Sequence, residues 1–315
     1  MQVVLGAAAS FIIGMALIPL VRTAALRTGF VDRPSQRKVH AVPVPLLGGL
    51  ALYTAITAIM LAASGPTPLT LSIAVGGGML VAVGLVDDYW KTRSRDFPVW
   101  PRLILYAAAG VVPLMYGIRI EGISRLGGQG MLLFTGWVSA LVTVLWIFAL
   151  INMINFIDGV DGLAGGVSII SAITLLVAAL YKGHMETAVL AAVVAGTCSA
   201  FLAFNFHPAR IFMGDAGAAF LGYALAVLAV NGAFKSATLV SVLVPVLALG
   251  VPILDTAVVM LRRLIRGTGL HRADKLHTHH ALMRWGLTQV QTVAFLYLIA
   301  AVLGLLSIVV LLLLG

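Results

Sequence analysis

Residues 137–166 read WVSALVTVLWIFALINMINFIDGVDGLAGG, a run in which no charge appears from Trp137 to Ile157 before Asp158 and Asp161 arrive three apart. About 20 apolar residues are what a helix needs to cross the ~30 Å hydrocarbon core, so the run predicts a transmembrane helix over about 137–156. The glycines after it predict a turn, and a second apolar run follows over 163–181.

The rest of the chain repeats this alternation. With 61% hydrophobic and 10% charged residues over 315 positions, and a mean hydropathy of +1.08, an ordinary soluble protein is excluded. Further candidate spans lie at about 2–21, 46–63, 69–86, 103–117, 187–206, 217–234, 238–260 and 289–314. The expected fold is therefore an all-α integral membrane protein, a polytopic bundle of about ten transmembrane helices, with 1–315 as a single domain. The first apolar stretch lacks a basic leading segment and is read as a retained helix rather than a signal peptide. The lone Cys198 sits in an apolar run, which excludes an intrachain disulfide.

Charge orients the bundle. Of the twenty Lys and Arg residues, only Arg119, Arg125, Lys182 and Lys235 fall in the loops of one face, and the positive-inside rule makes the other face cytoplasmic. Both termini then lie outside. All nine Asp residues fall on the cytoplasmic face, and Glu121 and Glu186 on the other. The polar segments of the cytoplasmic face are about 22–45, 87–102, 157–162, 207–216 and 261–288. The net charge of +9 follows from this topology and points to lipid phosphates or anionic substrates, with no nucleic acid as partner.

Each polar segment has a chemical and a bland reading. Arg37, Lys38 and His40 suit phosphate, or simply fix topology. The adjacent Asp87 and Asp88 need a cation, either Mg²⁺ or one of Lys91, Arg93, Arg95 and Arg102, unless they are a solvated helix end. Asn152, Asn155, Asp158 and Asp161 recur every three residues, so on a continuing helix Asn152 and Asn155 share a face, as do Asp158 and Asp161. Two amides and two carboxylates supply the hard oxygen ligands that Mg²⁺ prefers. Asp215 is either a metal ligand or a helix cap, and Phe212, three residues earlier, either packs or stacks on a nucleobase. His271, His277, His279 and His280 crowd one loop with Arg272 and Lys275. A diphosphate clamp and a zinc site both remain open. Asp255, inside the span at 238–260, pairs with Arg262, makes a helix contact, or takes part in chemistry.

These motifs, in this order from Asp32 to Trp285, resemble the polyprenyl-phosphate N-acetylhexosamine-1-phosphate transferase superfamily. The ending His277-Thr278-His279-His280 resembles the branch that uses UDP-N-acetylglucosamine and undecaprenyl phosphate to begin teichoic acid, enterobacterial common antigen and related wall glycans. The phospho-N-acetylmuramoyl-pentapeptide transferase branch is the alternative, and a membrane transporter is the alternative from another class. The resemblance implies a Mg²⁺-dependent transferase of the plasma membrane, Mn²⁺ able to substitute, with its site facing the cytoplasm and a homodimer compatible with it. It implies that Asn155 and Asp215 hold the metal, Asp161 meets the uracil edge and Phe212 stacks on that base. Asp87, Asp88, Asp158 and Asp161 would form the catalytic set. Lys38, Arg102, Asn152, His271, Arg272, His277, His279 and His280 would bind substrate, Arg102 at the lipid phosphate and the histidine loop at the sugar diphosphate. Whether Asp87 or Asp88 acts as base, nucleophile or positioning group stays open. This chain departs from many relatives in its longer run from Asp88 to Pro98.

Overall fold

The computed structural model describes residues 1–32, 42–93, 95, 97–124, 131–232, 240–266 and 277–314. Its long elements are the helices α1 (Gln2–Thr28), α2 (Gly48–Ser64), α3 (Pro68–Thr92), α4 (Val99–Met115), α5 (Gly136–Ile157), α6 (Leu163–Tyr181), α7 (Met185–Asn205) and α8 (Gly214–Gly232). They are followed by α9 (Val240–Ala248), α10 (Gly250–Arg266), the short α11 (Thr278–Arg284) and α12 (Gln289–Leu314). Among the described residues seven helices are long and apolar enough to cross a membrane, or eight if the bent pair α9 and α10 is one span. This is a polytopic helical membrane protein. A count of ten requires α2 and α4, each 17 residues, to be spans as well.

Helix α8 is the centre. It is buried along nearly its whole length and packs against α2, α3, α5, α6 and α7. Lipid tails are as apolar as Leu, so helices in a membrane associate through close packing, which small residues allow. Gly84 of α3 shows the need, because a Cβ there would fall on the backbone of Ala216. The outer helices are the reverse. In α1 the buried positions Gly6, Ser10, Gly14 and Ile18 recur every four residues against α7 and α2, while Val4, Leu5, Ile12 and Leu20 are exposed, as lipid-facing side chains should be.

Among the described residues two strand pairs lie outside the helices. β1 (Val31–Asp32) pairs antiparallel with β2 (Val44–Pro45), and β3 (Gly122–Ser124) with β4 (Met131–Leu133). The first pair is tied to the start of α8. The Phe212 N–H donates to Pro45 O (2.8 Å), and the Gly48 and Gly49 N–H groups donate to Phe212 O (3.0 Å) and Met213 O (2.9 Å).

Two expectations need correction. The apolar run at 238–260 is not one straight span, since α9 and α10 meet at 80°. Pro252 has no N–H to give Ala248 O, and the Ser171 hydroxyl donates to that carbonyl instead (2.6 Å). Nor does the helix continue through the Asp158 motif. α5 ends at Ile157, Asp158 is its C-cap, and Gly162 (φ 79°) starts α6, so Asp158 and Asp161 lie on a turn rather than on one helical face.

Candidate active site

The C-terminal ends of α3 and α5 and the N-terminus of α8 meet at one end of the bundle around a cavity of about 660 Å³, a size that holds a small organic ligand. Asp88, Lys91, Asp158, Asp161, Phe212, Asp215 and His280 line it, with Asn205 from the end of α7, His207 from the α7–α8 segment, Asp32, and Gln289 from the start of α12.

Its floor is a lattice of carboxylates and cations. The helix α3 runs on past the apolar segment, which places Lys91 one turn beyond Asp87 and Asp88. Lys91 Nζ lies 2.6 Å from Asp215 Oδ2 and 3.9 Å from Asp88 Oδ1. Arg102, from the first turns of α4, donates to Asp87 Oδ2 (2.8 Å) and reaches Asp215 Oδ2 (3.3 Å). Asp88 has a further task. Its Oδ1 accepts from the Asp215 N–H (3.0 Å) and its Oδ2 from the Ala216 N–H (3.3 Å), so a residue of α3 caps α8. The first N–H groups of a helix have no partner within it and favour negative charge. Gly214 (φ 67°) makes room, since a Cβ there would run into the Asp88 carboxylate.

The α5–α6 turn forms the opposite wall. Asp158 sits close enough to feel the charges of Asp215 and Asp88, and burial together with those anions holds its carboxyl well above the usual range. Asp161 Oδ2 accepts from the Ala209 N–H (3.1 Å) and bonds His207 Nδ1 (2.9 Å). Buried Asn205 staples the turn to the next loop: its Oδ1 accepts from the Gly162 N–H (3.0 Å) and its Nδ2 donates to Ile211 O (2.8 Å). The Tyr297 hydroxyl of α12 donates to Gly162 O (2.6 Å).

α11 closes the site. His277 and His279 are parallel, with ring centres 5.7 Å apart, and His279 and His280 are in contact at 4.3 Å. A Cβ at Gly159 would lie 2.9 Å from His279 Nε2, so this ring rests on the α5–α6 turn. Burial and its two histidine neighbours push His279 down to about 3, and at neutral pH it is an uncharged hydrogen-bonding ring.

The structure thus joins Asp87, Asp88, Asp158, Asp161, Arg102, Phe212, Asp215, His279 and His280 in one region, and places His277 behind them. Lys38, His271 and Arg272 lie outside the described residues. Asn152 departs from expectation: its amide nitrogen donates to Phe148 O (2.7 Å) within its own helix, and it is not among the cavity's lining residues. Arg102 is already engaged by Asp87 and Asp215, and Asp255 bonds His277 and Thr278. Lys91 was expected only as one of four candidate cations beside the Asp pair, and Asn205, His207 and Tyr297 were not expected at the site. For Lys91 the signal was its spacing of three and four from the Asp pair; the other three make contacts that span the bundle and leave no local trace.

The donor set can be tested against a divalent cation. Among the described residues no three His, Cys, Asp or Glu side chains form a ready-made metal cage. Mg²⁺ does not require one, since it commonly keeps several waters and takes one or two carboxylates plus substrate phosphates. Asp88, Asp158 and Asp215 line one cavity, and Asn155, one turn before Asp158 and like Asn152 not among the lining residues, has a buried amide nitrogen without a partner. A half-turn of that amide puts an oxygen in its place. These residues fit a hard cation.

The family model described as glycosyl transferase family 4 matches residues 70–233, more than half of the chain. This chain belongs to glycosyl transferase family 4. It is 35% identical over 311 residues to a probable undecaprenyl-phosphate N-acetylglucosaminyl 1-phosphate transferase of Bacillus subtilis (strain 168), covering 98% of this chain and 85% of that one. A decaprenyl-phosphate N-acetylglucosaminephosphotransferase of Mycolicibacterium smegmatis is 31% identical over 88% of this chain and 74% of its own length. A phospho-N-acetylmuramoyl-pentapeptide-transferase of Moorella thermoacetica is also 31% identical, over 96% and 95%. The family 4 match runs from α3 to α8, the part that carries every carboxylate from Asp87 to Asp215, whereas α10 and α11 lie beyond it.

Proposed function

We propose that this family 4 protein transfers N-acetylglucosamine 1-phosphate from UDP-N-acetylglucosamine to undecaprenyl phosphate, releasing UMP, as the first membrane step of a cell-wall glycan such as teichoic acid. The observation that carries the reading is the cavity itself, in which Lys91, anionic side chains and the Phe212 ring sit together at the helix ends of a membrane bundle. A lipid phosphate and a soluble nucleotide sugar meet there without either leaving its own phase. A transporter would place its polar groups near mid-membrane.

In this reading an oxygen of the lipid phosphate attacks the β-phosphorus of the donor. The new P–O bond joins lipid to sugar phosphate, and the bridging oxygen leaves with the α-phosphorus as UMP. A phosphomonoester with a second pKa near ~6 is already largely dianionic at pH 7, so positioning matters more than a strong base. Asp88 fits that view, because both of its oxygens are spent on the α8 backbone. Lys91 and Arg102 are both held by carboxylates, but Lys91 lines the cavity and would be the cation that meets phosphate charge there. Phe212, whose backbone is held at both its N–H and its C=O, lines the cavity and offers a ring for the uracil. Mg²⁺, or Mn²⁺ in its place, would be held by Asp215 and Asn155 with Asp158 beside them. Such an ion would supply charge neutralisation of the diphosphate.

Label carried from sugar-labelled UDP-N-acetylglucosamine into undecaprenyl phosphate, and chased back by added UMP, would support this reaction. Label that enters lipid only from UDP-N-acetylmuramoyl-pentapeptide would move the protein to the branch of the Moorella relative. The proposed orientation, cavity toward the cytoplasm, is checked by single cysteines in a Cys198→Ala background. In intact cells an impermeant maleimide should label Lys182→Cys and spare Arg284→Cys, and the opposite pattern would reverse the topology.

A further inference from the structure

Asp255 lies on α10, outside the cavity and beyond the family match, yet it is only 6% exposed and both of its oxygens are used. Oδ1 accepts from the Thr278 N–H (2.7 Å), at the first residue of α11, and Oδ2 bonds His277 Nδ1 (2.7 Å). An ionised carboxylate has only acceptors, so the His277 proton sits on Nδ1 and the ring's orientation is set. His277 in turn lies parallel to His279, which rests on the Gly159 turn and touches His280 at the cavity wall. Phe156, at the end of α5, also lies near His277, with ring centres 5.7 Å apart.

From this chain of contacts we propose that Asp255 is a positioning residue for the transfer site, fixing His277 and the first turn of α11 so that His279 and His280 present one geometry to the donor's diphosphate. The bend at α9 and α10 is what makes this reach available. A straight helix would continue along the α9 axis, whereas the 80° turn redirects α10 and carries Asp255 to the head of α11. A buried carboxylate inside a membrane protein is costly unless its oxygens are satisfied, and here the two partners belong to the element that closes the cavity. A purely local pair would leave the cavity wall indifferent to it. The ring contacts connect it to the wall.

The inference rests on the nucleotide-sugar reading, and the test separates the two. UDP-N-acetylglucosamine binding to full-length protein in detergent is measured by calorimetry for wild type, Asp255→Asn, Asp255→Ala, His277→Ala and Asp255→Asn/His277→Ala, alongside thermal unfolding and steady-state transfer. Asp255→Asn keeps the shape but turns one acceptor into a donor. The expected result is a roughly tenfold weaker Kd and higher KM for the donor, with kcat within about threefold and an unfolding midpoint near wild type. Adding Asp255→Asn to His277→Ala should cost little more than His277→Ala alone, because one acts through the other. Donor binding and KM unchanged in a folded Asp255→Asn protein would overturn the positioning role while leaving the transfer reaction intact. Equal loss in kcat and in the unfolding midpoint, with KM unmoved, would also overturn it, as a structural effect. A folded wild-type protein that does not bind the donor at all would overturn both this inference and the reading beneath it.

Discussion

Asp88 was legible as half of an acidic pair at a helix end, but its partners were not. A carboxylate that caps a helix from another chain segment is indistinguishable, along the sequence, from one that waits for a ligand. Asp158 and Asp161 show the same limit: their spacing suggested a shared helical face, and Gly159 and Gly162 instead break the helix between α5 and α6. Lys91 was the more readable residue, because spacings of three and four on a helix place it over the Asp pair. The cap gives a prediction at this scale. Asp88→Asn removes one of two acceptors from the start of α8, and should cost on the order of 1–2 kcal/mol of stability. Its transfer rate should fall by a similar factor at every pH between 6 and 9. Recovery at high pH would instead identify Asp88 as a general base.

Elements differ in how plainly they announce themselves. The long apolar helices α1, α3, α5, α6, α7 and α12 follow from hydropathy and length, since a span is defined by what the bilayer demands. The break between α9 and α10 does not, because no charge interrupts residues 238–254 on either side of it; Gly250 and Pro252 were the available sign, and glycine and proline are tolerated in many unbroken membrane helices. The short α11 was read only as a histidine-rich loop. Its buried His279 carries a pH prediction. In the folded protein the ring is pushed down from 6.5 to about 3, so between those values the unfolded chain binds a proton that the native chain refuses. Stability from this source is complete above the unfolded value and is lost as pH falls below it. The unfolding midpoint of wild type should therefore drop more steeply from pH 7.5 to 5 than that of His279→Gln; parallel slopes would show that His279 is not the titrating group.

For the molecule as a whole, the sequence placed the polar motifs at one end of a helical bundle, and the structure brings Asp88, Asp158, Asp161, Phe212, Asp215 and His280 to one cavity there. Val31–Asp32 after α1 and Gln289 at the start of α12 both adjoin the cavity region, so these two outermost helices run away from the site along the bundle. At 1.5 Å per residue, helices of 26 and 27 residues extend about 40 Å, enough to cross the hydrocarbon core and enter both interfaces. What the sequence did not disclose is how the pieces are held: by Asn205 and Tyr297 across the bundle, by Asp88 from α3 to α8, and by Asp255 from α10 to α11. Each of these joins positions far apart in the chain, and no periodicity records them. Their common effect is a preorganised set of charges around a cavity open to two substrates.

In transfer of a sugar 1-phosphate, the phosphorus next to the sugar moves with it. The measurement that tests this most directly supplies the purified protein with undecaprenyl phosphate and UDP-N-acetylglucosamine carrying ³²P at the β position, and in a parallel reaction at the α position. The expected result is β label in the lipid product and α label only in released UMP. Sugar reaching the lipid without β label, with UDP as the nucleotide product, would mean attack at the sugar carbon and would contradict it.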